Sequence, residues 1–343
     1  MDNVPAQDSV FANLKSQITQ NHPPADLSEK LISQLDRLQK IFYSVGYRAD
    51  LDKELEYIKF VSFLPFGKMS VDILDLHRAV EVLDHNHYGL KVVKDRVLEY
   101  LSMLILNTKA KQRLKSPVLF FVGLVGSGKT SLAYSIAESL GRQIIRIPFG
   151  GLGSTRELRG ESKSRPEAEP GRILKLIHDL GVSNPVILLD EIDRVAQDSR
   201  SDIMGVLVEL LDPEQNMAFV DYPFDLSNAL FIATANNTSG IATAVLDRLE
   251  IIEMPAYSDE EKIMIGKNYM LPKLIKTAGL PSGILTIDEN LWPQIVRPLG
   301  FDAGIRSLQR SVEGVVRKVA RLVVEGHPGP YKITAENIGQ YVG

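Results

Sequence analysis

Three stretches of the chain set residue types that handle phosphate and water at the spacings such chemistry requires. Gly123-Leu124-Val125-Gly126-Ser127-Gly128-Lys129-Thr130 fits the pattern G-x-x-x-x-G-K-[ST]. Its glycines let backbone N–H groups turn inward around an anion, and the positive end of the following helix, SLAYSIAESL, points the same way. Lys129 can reach β- and γ-phosphates, and the Thr130 hydroxyl can ligate Mg²⁺. The competing reading is a chance glycine turn. A random match in a chain of this length has odds of roughly 1% from background frequencies, before the strand PVLFFV ahead and the helix behind are counted.

Sixty residues on, the apolar run Val186-Ile187-Leu188-Leu189 ends in Asp190-Glu191. Ligands bind at the carboxyl edge of a parallel sheet, so Asp190 is placed to hold the Mg²⁺ shell and Glu191 to polarise an attacking water as general base. Strands also exit into charged turns with no such role. Asn236, at the tip of a third apolar run, LFIAT, can orient water or contact a γ-phosphate, or it belongs to an asparagine-rich turn. Arg248, before a last short run, is either a finger for a neighbouring subunit or an exposed helix-end arginine. Arg306, opening a late helix, either reaches the nucleotide or is simply solvated.

The elements that position these residues follow from apolar patterning. Short β-branched runs at 117–122, 143–147, 185–189 and 230–234, with a fifth at 250–254, predict strands buried on both faces. Helix-patterned stretches at 128–140, 171–180 and 201–212 separate them, which predicts an α/β parallel sheet covered by helices. The first 25 or so residues read as a loose lead-in. Helices follow from Ser28, its predicted cap, through Leu31, Leu35, Leu38, Phe42 and Val45, then through ELEYIKFVSFL up to Pro65, over 72–83, and through GLKVVKDRVLEYLSMLIL. Beyond Pro255 the pattern is helical again, over 258–277, 288–297 and 303–325. The predicted units are a helical segment (1–70), an α/β nucleotide-binding domain (71–255) and a helical lid domain (256–343).

Composition narrows the function. The 343 residues carry 39 Lys+Arg against 43 Asp+Glu, a formal net charge of −4 that counts against coating nucleic acid or an anionic membrane. The absence of cysteine excludes thiol catalysis and thiolate metal sites, and six dispersed histidines give little support to a histidine metal site. Mean hydropathy is −0.02, no run approaches a spanning helix, and no signal or transit peptide is visible, so a cytoplasmic location is expected.

Taken together, these segments resemble the ATPase module of Lon-type ATP-dependent proteases, within the AAA+ superfamily. The resemblance runs from about Leu51 to Gly343. It is carried by DHNHYGLKVVKDRVLEYL (84–101), GSGKTSLAYSIAESLGR (126–142), NPVILLDEIDR (184–194), VELLDPEQN (208–216), PFDLSNALFIATAN (223–236), VLDRLEIIEMPAYSDEEK (245–262) and AGIRSLQRSVEGVVRKVA (303–320). It implies ATP on Gly123–Thr130, Mg²⁺ linked to Thr130 and Asp190, and Glu191 activating water. It also makes Asn236 the sensor-1 residue, Arg248 a finger acting across a subunit interface, and Arg306 the sensor-2 arginine of the lid. Tyr88 and Gly89 fall in the HYGL segment, which packs near adenine in that family. A homo-oligomeric ring, a hexamer by family expectation, follows, with protein substrates or a separate peptidase as partners.

The sequence departs from the family in four places. Leu124 and Val125 replace the usual pair of prolines. The loop between Arg159-Gly160 and Pro170-Gly171 reads Glu161-Ser162-Lys163-Ser164-Arg165-Pro166-Glu167-Ala168-Glu169, with Arg165 and Pro166 where an aromatic and an aliphatic residue grip substrate. The second pore segment, FVDYPFDLS, is about four residues shorter than the family pattern. The chain given ends at IGQYVG, ahead of the segment that would carry the family's Ser–Lys dyad, and lacks most of the large N-terminal substrate domain. The leading expectation is a Lon-like ATPase acting on proteins without a peptidase site of its own. The alternative is a nucleotide-gated assembly or regulatory module that does not thread polypeptide. A nucleic-acid remodeller is disfavoured by the acidic balance, and a GTPase by the lack of an NKxD-type segment.

Overall fold

Apolar runs of five or six residues, bounded by turns and by helices with one apolar face, can only bury themselves as a covered sheet. The computed structural model describes residues 4–45, 49–110, 112, 117–161, 169–216, 224–297 and 304–342. The chain opens with helices α1 (Val4–Asn21), α2 (Ala25–Val45), α3 (Ala49–Ser62), α4 (Leu76–Asn86) and α5 (Lys91–Lys109). Alternation follows: β1 (Val118–Val122), α6 (Lys129–Leu140), β2 (Ile144–Pro148), α7 (Thr155–Arg159), α8 (Arg172–Leu180), β3 (Val186–Asp190), α9 (Arg200–Leu210), β4 (Leu230–Ala235), α10 (Thr243–Leu246) and β5 (Leu249–Glu253). The C-terminal region, the predicted lid, contains α11 (Asp259–Ile265), α12 (Leu271–Thr277), β6 (Leu285–Ile287), α13 (Trp292–Val296), α14 (Arg306–Val324), β7 (Tyr331–Ile333) and α15 (Ile338–Tyr341).

The first five strands form one parallel sheet in the order β2-β3-β4-β1-β5. All residues of β3 and β4 are buried, as strands with helices on both faces must be. Because every strand points the same way, the residues after β1, β3 and β4 emerge on one edge. That edge collects the glycine loop, Asp190-Glu191 and Asn236.

One face of the sheet is covered by α4, α5 and α6, whose core includes Leu83, Val97, Leu101, Leu132 and Ile136. On the other face, α8 and α9 share a continuous core with α1–α3. Phe60 stacks on His178 of α8, with centroids 4.8 Å apart, and Phe66 packs on Phe224 at 5.5 Å. Between α3 and α4 the backbone runs extended along the core. Ser183 N–H donates to the Lys68 carbonyl (2.7 Å), Asn184 pairs with the backbone of Ser70, and Arg142 makes a two-pronged pair with Asp72 (2.8 and 2.6 Å). The lid has its own core around Trp292, Leu308, Val312 and Val316.

The structure overturns three details. The first 25 residues are no loose lead-in: α1 buries Phe11, Leu14 and Ile18 at three- and four-residue spacing. Ser28 does not cap α2, because its N–H already bonds the Pro24 carbonyl (2.9 Å) and the helix begins at Ala25 behind two prolines. The helix read at 72–83 lies at Leu76–Asn86, where the Asp75 carboxylate accepts from His77 and Arg78 N–H. The stretch 258–277 is continuous but widens at Gly266–Met270, just ahead of Pro272, which has no N–H to offer the ordinary ladder. The parallel pair β6–β7 in the lid was not foreseen. Among the described residues no helix is long and apolar enough to cross a membrane.

The burial of α1 makes a direct forecast. Ile18→Ala should lower the stability of the sheet and its helices by about 2–5 kcal/mol in a urea titration, whereas a change at exposed Gln20 should leave the midpoint in place.

Candidate active site

The phosphate loop leaves β1 at Gly123 and enters α6 at Lys129. Gly126 and Gly128 take φ of 82° and 94°, the left-handed geometry that turns successive N–H groups inward. The loop is closed from the lid side. Ile305 N–H donates to the Gly126 carbonyl (3.2 Å), and a Cβ on Gly304 would sit 2.2 Å from the Val125 carbonyl oxygen. Arg306, the first residue of α14, brings its aliphatic stem against Gly126. Leu124 and Val125 lie toward solvent, while the Ser127 side chain is fully buried and its hydroxyl has no hydrogen-bond partner among the described residues.

Lys129 and Thr130 face the strand tips. Lys129 Nζ donates to the carbonyls of Gly123 (2.6 Å) and Leu124 (2.9 Å) and to Asn236 Oδ1 (3.2 Å). Burial pulls its pKa below the usual lysine value, against the carboxylates of Asp193, Glu191 and Asp190, while Arg306 adds to the depression. Thr130 Oγ1 donates to Asp190 Oδ1 (3.1 Å), which also accepts the Thr234 hydroxyl (2.5 Å). Asp190 Oδ2 takes Arg146 through Nε (2.7 Å) and Nη2 (2.6 Å). Glu191 sits at φ 59°, a left-handed position that a non-glycine residue seldom takes. Its N–H is fixed on Thr234 Oγ1 (2.9 Å), and its carboxylate is near Arg194 (3.5 Å).

The HYGL segment lies between α4 and the lid. Gly89 and Leu90 are both left-handed (φ 65° and 55°), which reverses the chain from α4 into α5. Tyr88 meets Tyr269 edge-on at 6.3 Å and joins Tyr257, Ile265 and Ile305 in an apolar wall beside the phosphate loop. Burial raises the Tyr257 hydroxyl to about 12. Lys94 ties the turn down through Asp84 (2.7 Å) and the His87 carbonyl (2.6 Å). Ser135 Oγ accepts from Asn86 (3.1 Å) and shares a hydrogen bond with His87 Nε2 (2.9 Å). Burial foremost, then the Lys94 charge, lowers the His87 pKa to about 4.

With this geometry in view, comparison with known proteins is decisive. Residues 119–256 match the ATPase family associated with various cellular activities (AAA), and 276–331 match the Lon protease AAA+ ATPase lid domain. The chain belongs to the AAA+ ATPases, as a Lon-type ATPase module. It is 41% identical over 339 residues to Lon protease 2 of Herpetosiphon aurantiacus, covering 96% of this chain and 40% of the relative. Identity to Lon protease of Lawsonia intracellularis is also 41%, over 340 residues, with 98% and 40% covered. Against Lon protease of Desulfatibacillum aliphaticivorans it is 42% over 291 residues, with 84% and 35% covered. The chain thus spans about 40% of the length of the first two.

In this Lon-type module the sequence-predicted residues Gly123–Thr130, Asp190, Glu191, Asn236 and Arg306 come together at one sheet edge. Arg248 stands apart: its guanidinium donates to the Ala244 carbonyl (2.7 Å) and Asp212 (3.3 Å), and to nothing in the phosphate-loop cluster among the described residues. The backbone N–H of Glu214 foremost, with Arg248, holds the Asp212 carboxyl below the usual carboxylate range. Residues 162–168 and 217–223, in the first and second loops for which the family resemblance implies a pore, lie outside the described residues. The neck of the first loop is defined: Gly160 and Pro170 form a bridge, and Glu161 N–H bonds the Glu169 carbonyl (3.0 Å). The backbones there approach so closely that a Cβ on Gly171 would lie 2.2 Å from the Leu158 carbonyl.

Arg146, Thr234 and Asp193 escaped the sequence reading. Arg146 is the cation on a carboxylate that is only 2% exposed. Arg146→Met should cost about 1–3 kcal/mol of stability, toward the lower end because the arginine is half-exposed, as read by chemical denaturation.

His87 sets a pH dependence. Between pH 6.5 and about 4 the unfolded chain binds a proton at this position that the folded chain refuses, so stability falls as pH falls across that window. The loss should reach about 3 kcal/mol, and His87→Gln should flatten the profile in denaturant titrations at stepped pH.

Proposed function

We propose that this Lon-type module binds ATP with Mg²⁺ on Gly123–Thr130 and hydrolyses it as one subunit of a cytoplasmic ring that unfolds or remodels polypeptide for degradation. The observation that carries this reading is the convergence of two hydrogen-bonded pairs, Lys129–Asn236 (3.2 Å) and Thr130–Asp190 (3.1 Å), at the carboxyl edge of the sheet. The glycine turn, with the buried and unpartnered Ser127 hydroxyl beneath it, fits a phosphate chain.

The donor set also fits Mg²⁺. Thr130 and Asp190 would hold it, directly or through water. Among the described residues no cluster of three or more His, Asp or Glu side chains forms, so phosphate and water oxygens complete such a site, as is usual for this ion. When bound, Mg²⁺ neutralises developing charge on the β- and γ-oxygens. Lys129, released from the Gly123 and Leu124 carbonyls, adds a second positive charge. Glu191 accepts the proton of the attacking water while Asn236 orients that water or the γ-phosphate. Arg306 reaches the same phosphates from the lid, and Tyr88 and Gly89 flank the adenine. Arg248, free of its own subunit's phosphate loop, is available to a neighbouring subunit, with a hexamer the family precedent.

A second reading has one observation in its favour. The loop 161–169 carries charges and a proline but no aromatic residue, and a grip that works by apolar contact needs one. A nucleotide-gated assembly module would keep the ATP site without threading.

Steady-state ATP hydrolysis by the purified chain with Mg²⁺, with and without an unfolded protein, separates the two. Glu191→Gln should abolish turnover and leave ATP bound. Arg248→Ala should lower kcat by about 10³-fold in the assembled protein while nucleotide affinity holds. Stimulation by unfolded protein supports the remodelling reading, and indifference favours the assembly module. ATP binding without any turnover in the parent would overturn hydrolysis itself.

A further inference from the structure

Asp193 is the acidic residue of the site to which neither the sequence nor the nucleotide chemistry gave a role. The left-handed turn at Glu191 and the short helical turn Ile192–Arg194 fold it back beneath the tip of β4. There its Oδ2 accepts the backbone N–H of Asn236 (3.1 Å), a contact between residues 43 apart in sequence. Its Oδ1 is buried without a hydrogen-bond partner among the described residues. The Asn236 side chain, in turn, takes Lys129 Nζ on Oδ1 (3.2 Å).

Asn236 is therefore held twice, at its backbone by Asp193 and at its carboxamide by Lys129. Only one of these holds can survive a phosphate. An arriving γ-phosphate competes for the ammonium with three charged oxygens against one neutral amide oxygen, so Lys129 leaves Asn236. The Asp193 hydrogen bond is made to the backbone N–H of Asn236, so it does not use the carboxamide oxygen that Lys129 gives up. Asp193 is also the carboxylate acting most strongly on the Lys129 ammonium, ahead of Glu191 and Asp190.

We propose that Asp193 is a positioning residue: its carboxylate fixes the tip of β4, so that Asn236 stays aimed at the γ-phosphate once Lys129 has moved to the nucleotide. This rests on the reading of Asn236 as the γ-phosphate contact. It adds that the aim of Asn236 is set from β3, by the same turn that presents Glu191. General base and phosphate contact are then registered to each other through one short segment.

The test is a double-mutant cycle on the assembled protein, with two readouts: kcat for ATP, and the affinity ratio between a non-hydrolysable ATP analogue and ADP. Asp193→Ala should lower kcat by about tenfold or more and weaken the analogue several-fold with ADP affinity unchanged, on the scale of removing one preorganised hydrogen-bond donor. Asp193→Asn keeps an acceptor for the Asn236 N–H and should recover most of both readouts. Asp193→Ala in an Asn236→Ala background should add nothing, because the two act as one unit.

Each contrary outcome points to one idea. If Asn236→Ala changes neither readout, the assignment of Asn236 fails, and the positioning role goes with it. If Asn236→Ala is impaired while Asp193→Ala behaves like the parent, or the two losses add, only the positioning role is overturned. Equal weakening of ADP and analogue in Asp193→Ala would mark a general loss of structure and would also overturn it. If the parent shows no turnover, the analogue-to-ADP ratio alone decides, by the same comparisons.

Discussion

The Asp190 carboxylate must leave water at the end of β3, and the donors that offset this come from three different elements. Thr130 reaches it from α6, Thr234 from β4 and Arg146 from β2. A buried carboxylate left short of donors costs several kcal/mol, so each of these elements is held in register with β3 by the need to satisfy it. The sheet order β2-β3-β4 places Asp190 on the central one of these three strands, flanked by both partners. Thr234 is shared: its hydroxyl donates to Asp190 and accepts from the Glu191 N–H (2.9 Å). One hydroxyl thus fixes both the carboxylate assigned to the metal and the backbone of the neighbouring glutamate. That second hold keeps Glu191 in a left-handed conformation that costs energy on its own.

What the sequence disclosed and what it hid divide along contact range. The phosphate loop and the Asp190-Glu191 pair are local: eight and two consecutive residues whose chemistry is in their order. The strands were legible because an uninterrupted apolar run has few other places to go. Arg146 was invisible because it alternates with buried Ile145 and Ile147 on an edge strand, where an outward arginine ordinarily meets solvent. Thr234 was lost inside an apolar strand, and Asp193 looked like one more charge in a polar turn. Both act on partners more than forty residues away. The helix α1 was missed because Phe11, Leu14 and Ile18 stand thinly among polar residues, and only α2 and α3 supply the surface they bury against. Strands β6 and β7 have three residues each, too few for periodicity to register.

The lid meets the site by steric fit as well as by a charged side chain. Gly304 and Gly126 approach so closely that the loop and the start of α14 share one packing surface, sealed by the Ile305–Gly126 hydrogen bond. Arg306 follows immediately, so its position is tied to the conformation of the glycine loop 123–130. The lid core around Trp292 is nevertheless separate from the two cores of the sheet. A rotation of the lid would therefore be resisted mainly at these loop contacts and at the apolar wall of Tyr88, Tyr257, Ile265 and Ile305.

The opposite arrangement holds at the other face. The helices α1–α3 share a core with the sheet, and the aromatic contacts on this side fall close in sequence to the loops at 162–168 and 217–223. Phe60 stacks on His178 in α8, the helix entered directly from the neck of the first loop. Phe66 packs on Phe224, the residue at which the chain leaves the second. The extended segment at 68–73, pinned by Ser183, Asn184 and Arg142, adds a third line of attachment. A displacement of α8 would have to break aromatic stacking and drag a continuous apolar core, whereas a displacement of the C-terminal helices would have to part the Gly126 contacts and the smaller apolar wall of Tyr88, Tyr257, Ile265 and Ile305. Packing alone thus joins the N-terminal helices to the body that contains α8 and Phe224, while the C-terminal helices keep a core of their own around Trp292.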